Sequence, residues 1–166
     1  MPPTPLPDFA AFNYARELLV QQAMGVLGIW ALLNLLVSGY HVTQTDARTA
    51  PHYFHQMNAA WNVVNALIAA WGVLRASPRT AAGFTLAQSQ AEQVSVEHIL
   101  LINAGLDVLY IAFGSWLKAR AASSQRPERF QGFGQSLWLQ GGFLLVFDTG
   151  LYLLYHHYAA QLSLFS

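Results

Sequence analysis

Charge is what this sequence has least of. Only 10% of its 166 residues are Asp, Glu, Lys or Arg, against about 25% in an ordinary soluble domain, so the chain lacks the means to cover a water-facing surface. The scarcity is also patterned. No charged residue falls between Glu17 and Asp46 or between Arg48 and Arg75; Asp107 is alone between Glu97 and Lys118, and Asp148 is alone after Arg129. Cysteine is missing altogether, which excludes disulfides, thiolate metal sites and cysteine nucleophiles together. No basic run is present, and the net charge is zero, which gives no footing for nucleic acid. There is no Gly-rich phosphate loop, no HExxH and no nucleophile elbow. An enzyme working through the two aspartates inside a membrane is conceivable, but no substrate or catalytic residue is indicated, and no metal site.

What is present is apolar. Hydrophobic residues make up 54% of the chain and the mean hydropathy is +0.32. A helix needs roughly 20 predominantly apolar residues to cross a bilayer, and four windows qualify, at 18–40, 52–74, 97–117 and 136–158. A very apolar soluble bundle is the competing reading, and charge-free gaps of this length argue against it. The expected fold is therefore all-α, an integral membrane antiparallel up-down four-helix bundle. It forms a single transmembrane domain over 1–166, with a flexible segment at 1–8.

Helix punctuation supports the same layout. Asp8 precedes FAAFNYAREL as an N-cap for a long first helix. Thr85 and Gln88 have capping-box spacing, which starts the third long helix near 86. Pro51 and Pro127 suit first-turn positions of the second and fourth, and Ser77-Pro78 breaks the chain between the second and third.

Four spans put both termini on one side together with the 75–96 connection. Lys118, Arg120, Arg126, Arg129 and Arg48 lie on the other side, against Arg16, Arg75 and Arg79. Four of those five cluster beside membrane ends, so that side is read as cytoplasmic and the termini as extracytoplasmic. MPPTPLPDF has neither a basic n-region nor a separate apolar h-region, so an export signal ahead of Met1 is expected.

Polar residues inside the spans form stripes. His55, Asn58, Asn62 and Asn65 share one helical face; so do Asn103, Asp107 and Tyr110, and so do Asp148, Tyr152 and Tyr155, with Gln140 drifting toward that face's edge. Asn34, Ser38 and His41 line up on the first helix. Lipid cannot satisfy such groups, so all four stripes are expected to face the bundle interior or a subunit interface. Asp107 and Asp148 sit near the centres of their spans, Asn62 and Asn65 bracket the centre of theirs, and Asn34 lies about 7 Å from its own. One midplane layer of carboxyls and amides is the expectation. Two carboxyls there without Lys or Arg cannot both comfortably ionise, so at least one should hold a proton while the amides share the hydrogen bonds.

Candidate ligand-binding residues are accordingly Asn34, Asn58, Asn62, Asn65, Asn103, Asp107, Tyr110, Gln140, Asp148 and Tyr152. The functional reading is a site for a small polar ligand, cation or proton, as part of a transporter completed by a second copy or a membrane partner. The structural reading is that the amides and carboxyls only glue helices together, at roughly 0.6–2 kcal/mol per bond. Ionisable residues at midplane are functional candidates by default. Haem is a third reading, through His41, His55, His98 and His156. These lie at membrane edges without a supporting motif, so no cofactor is predicted. The five tryptophans read as packing or interface anchors.

Three helices repeat a phrase of an amide, two small residues and a large apolar one: Asn58-Ala59-Ala60-Trp61, Asn103-Ala104-Gly105-Leu106 and Gln140-Gly141-Gly142-Phe143. Shared packing chemistry explains it; duplication of a helix pair is the sharper alternative. YFHQMNAAWNVVN, INAGLDVLY and FGQSLWLQGGFLLVFDTGLYLL resemble an uncharacterised bacterial family of small four-span membrane proteins, from about Phe12 to His156. The resemblance implies the four-span fold and topology, and its members often carry a signal peptide; the expected setting is a bacterial inner membrane, with the lipid bilayer as partner. It implies no catalytic role.

Overall fold

The first long helix begins where Asp8 accepts a hydrogen bond from the Ala10 amide at 3.0 Å, satisfying one of the four amides a helix start leaves free. The structure is a computed structural model that describes residues 8–165; most of the expected flexible segment, residues 1–7, lies outside the described residues. Helix α1 (Phe9–Gln44) leads through a short loop to α2 (Ala50–Arg75), with Pro51 in its first turn. A four-residue helix α3 (Pro78–Ala81) follows the Ser77-Pro78 break. Helix α4 (Leu86–Arg120) starts at the Thr85–Gln88 capping box, in which side chain and backbone bond reciprocally. A single 3-10 turn at Ala121–Ser123 then leads to α5 (Pro127–Leu162). Four of these helices, all but α3, are long and apolar enough to cross a membrane. Among the described residues there is no strand.

The helices pair as two hairpins, α1 with α2 and α4 with α5, and the hairpins join chiefly through α2 against α5. Paired contacts run in opposite senses along α1 and α2: Ser38 meets His55, Gly28 meets Ala69 and Gln21 meets Ala76. Glycine sets the closest approaches. A Cβ at Gly132 on α5 would lie 2.7 Å from the Phe54 backbone nitrogen on α2 and would also strike the Ala50 carbonyl. Gly114 on α4 and Gly134 on α5 face each other, a Cβ on either reaching 2.6–2.8 Å from the other's carbonyl oxygen. Small residues of this kind let helix backbones approach closely. By contrast, α2 and α4 barely touch along their length, and a gap opens between them.

Apolar packing fills the rest. Ala23, Leu100, Leu151 and Tyr155 form one core cluster, and Leu27, Ala69 and Leu144 another. The outer surface is just as apolar: Leu36, Leu67, Trp71, Leu74, Val146 and Leu153 are each more than 60% exposed. A monomer in water rarely exposes so continuous an apolar surface.

Candidate functional site

The polar stripes do face inward, but they do not form one layer. They separate into an amide network that is closed on itself and a carboxyl pair on the wall of a cavity.

The network joins α1, α2 and α5. Asn58 donates to the Asn34 carbonyl at 2.9 Å and to the Ser38 hydroxyl at 2.7 Å. Gln140 donates to the Asn58 side-chain oxygen, and its own oxygen accepts from Asn65 and from the Trp30 indole, each at 3.2 Å. Asn62 donates to the Asn58 backbone oxygen at 2.7 Å. Asn58, Asn62, Asn65 and Gln140 are all buried. Two of the three repeated phrases thus meet through their amides, Asn58 with Gln140; the third, Asn103, lies elsewhere. A buried network of this kind fixes register when every member is bonded.

Asp107 on α4 and Asp148 on α5 are buried, at 2% and 6% exposure, and line the same cavity. Among the described residues no amide donates to either, contrary to the expectation that the amides serve the carboxyls, because Asn58, Asn62, Asn65 and Gln140 use their donors on one another, on Asn34 and Ser38, and on helix backbone. Asp107 Oδ2 is buried with no partner, and so is the indole nitrogen of Trp61. Both residues line a cavity of about 430 Å³ in the gap between α2 and α4, floored by α1 and α5. Asn65, Asn103, Tyr110 and Asp148 complete its polar end, with Tyr110 set edge-on to Trp61 at 4.9 Å. Met24, Leu100, Phe147 and Leu151 line its middle, and Glu17, Arg75 and Glu92 its other end.

Of the ten sequence candidates, Asn65, Asn103, Asp107, Tyr110 and Asp148 line this cavity. Asn34, Asn58, Asn62 and Gln140 belong to the network, with Asn65 in both. Tyr152 stacks on His156 at 5.4 Å and is not part of the wall. The four histidines stand at the two ends: His41 and His55 stack face to face at 4.6 Å, His156 bonds Glu97 at 2.9 Å, and His98 is exposed. Among the described residues no three His, Cys, Asp or Glu converge on a metal position.

One buried group escaped the sequence reading. Arg16 is fully buried, donates to the Ser89 carbonyl at 3.0 Å and to Gln93 at 3.3 Å, and lies over the rings of Phe12 and Tyr155. Asn13 accepts from the Ser89 hydroxyl at 2.6 Å beside it. The signal was available in Asn13/Arg16 and Ser89/Gln93, polar pairs spaced to share one helix face.

An all-helical protein with four membrane-length apolar helices and buried polar residues is the class this arrangement defines. A family of unknown function, DUF6992, matches residues 26–149, and the chain belongs to that family. No curated protein and no solved structure matches it.

Proposed function

We propose that this is an integral membrane protein, an up-down bundle forming one transmembrane domain with spans at 18–40, 52–74, 97–117 and 136–158, that binds a small ligand at the Asp107–Asp148 pair. Lipid accounts for the apolar outer face, and the basic residues at 118–129 favour a bacterial inner membrane with both termini extracytoplasmic. The observation that carries the binding reading is the unpartnered Oδ2 of Asp107, a residue 2% exposed on the wall of a 430 Å³ cavity. A carboxyl placed only for packing would have its bonds met within the bundle, as Asn58, Asn62, Asn65 and Gln140 have. Transport is the wider form of the reading; four spans then need a second copy or a membrane partner to complete a path.

The structural reading applies to a different set of residues. Closure of the Asn34–Asn58–Gln140–Asn65 network favours a role in helix register for those amides. The test is thermal unfolding of the wild type, Asp107→Asn and Asp148→Asn in lipid nanodiscs, with and without a panel of small amines, alcohols and carboxylic acids. The binding reading expects at least one compound to raise the wild-type Tm and to lose that effect in both variants. Destabilised variants beside a wild type that no compound shifts would leave only the structural role.

A further inference from the structure

The cavity is asymmetric in charge and in polarity. Four carboxyl residues line it, Glu17, Glu92, Asp107 and Asp148, against one cation, Arg75. Arg75 lies at the helix end with Glu17 and Glu92, while Asp107 and Asp148 sit deeper among Asn103, Tyr110 and Trp61 with no Lys or Arg beside them. Between the two ends the wall is Met24, Ile99, Leu100 and Phe147. Along α4 the lining runs from Glu92 to Tyr110, about 27 Å at the helical rise. The site is therefore a long slot with an acidic, aromatic inner end and an apolar shaft.

The rims set the route of entry. Val64, Ile68 and Trp71 on α2, and Ile99 and Leu106 on α4, line the slot and are 40–69% exposed. With α2 and α4 barely in contact, the slot opens sideways, to the apolar medium around the bundle.

From these features we infer that the slot takes a lipophilic amine, whose cationic nitrogen sits between Asp107 and Asp148 and whose apolar body lies along Leu100 and Phe147. This rests on the binding reading above and names its ligand class. An ammonium supplies the hydrogen-bond donors that Asp107 Oδ2 lacks, and charge-assisted bonds of that kind are roughly twice as strong as neutral ones. Trp61 and Tyr110 add ring faces to the same end. An anion would meet two carboxyls and no cation. A lipid's own amino headgroup stays at the membrane surface, whereas both aspartates lie near the centres of their helices, so the occupant is a free small amine.

Three probes of matched size separate charge from shape: 4-phenylbutylamine, 4-phenyl-1-butanol and 4-phenylbutyrate. Each is titrated against the protein in phosphatidylcholine nanodiscs by calorimetry, with empty nanodiscs subtracted. The amine is expected to bind saturably and at least about tenfold more tightly than the alcohol, with no saturable binding of the acid. Asp107→Asn should weaken the amine about tenfold and leave the alcohol within about twofold. If Asp107→Asn does not fold, the ranking of the three probes on the wild type decides. Alcohol or acid binding as tightly as the amine overturns the amine assignment while leaving a ligand site in place. Absence of saturable binding by all three also overturns it; the binding reading is then judged separately, by whether the slot itself is open to a small reagent at residue 103.

Discussion

Gln140 on α5 is tied to Asn58 on α2, whereas Asp107, on the neighbouring α4, has a carboxyl oxygen with no hydrogen-bond partner among the described residues. The two groups are the same kind of feature in the sequence, polar residues on the inner stripe of a span. In the structure they have opposite energetic roles, and opposite responses to mutation follow.

Gln140→Ala removes the acceptor of Asn65 and Trp30 and the donor to Asn58 at once. Each buried group left unpaired costs about 1–3 kcal/mol, offset by what relaxation recovers. A net loss of about 2 kcal/mol is expected, read as a clear drop in Tm in nanodiscs, with Asn58→Ala behaving alike.

Asp107→Asn is expected to leave stability unchanged within about 0.5 kcal/mol, or to raise it. The carboxyl it replaces has an oxygen with no partner to lose, and the new amide faces the same cavity, which Asp148 also lines. The same melting series measures it. A loss as large as that of Gln140→Ala would place Asp107 in the structural network instead.

Gly132→Val tests the seam between the hairpins. A side chain there meets α2 backbone at Ala50 and Phe54, which cannot yield as a side chain can. Overpacking costs about 1–3 kcal/mol. Gly142→Val, on the same helix but with nothing within 4 Å, should be neutral; the difference in Tm between the two variants is the readout.

The proposed orientation makes a further prediction that the absence of native cysteine makes simple to check. Gly83→Cys, in the 75–96 connection, should react with an impermeant maleimide on intact cells. Ser124→Cys, beside Arg120 and Arg126, should react only after permeabilisation.

Much of the fold was legible because its signals are local. Charge-free gaps mark the four apolar helices, and Asp8, Thr85–Gln88, Pro51 and Pro127 mark their starts where the structure has them. The stripes also gave the correct inward faces for Asn58, Asn62, Asn65, Asp107 and Asp148. What they could not give is the neighbour each face meets. Helical periodicity fixes an azimuth on one helix and is silent on helix order, so the pairing of α2 with α5, and the slot it leaves beside α4, had no signal in any one span. The same gap explains why one polar layer was expected where the structure has a network and a separate pair. Arg16 reads as an end charge because it precedes the apolar window at 18–40, but the helix expected from Asp8 carries it into the bundle, against Ser89 and Gln93 of α4, a neighbour the sequence does not name.

The central claim is that the space between α2 and α4 is an open site reaching the carboxyl pair. Asn103→Cys places a single thiol on its wall in a chain with no other, and Leu137→Cys places one in the packed interior of the bundle as a control. Reaction of both with a small membrane-permeant maleimide in nanodiscs is the direct measurement. The account predicts modification at 103, slowed in the presence of a bound amine, and none at 137. Equal resistance at both positions would mean the space is closed, and would contradict it.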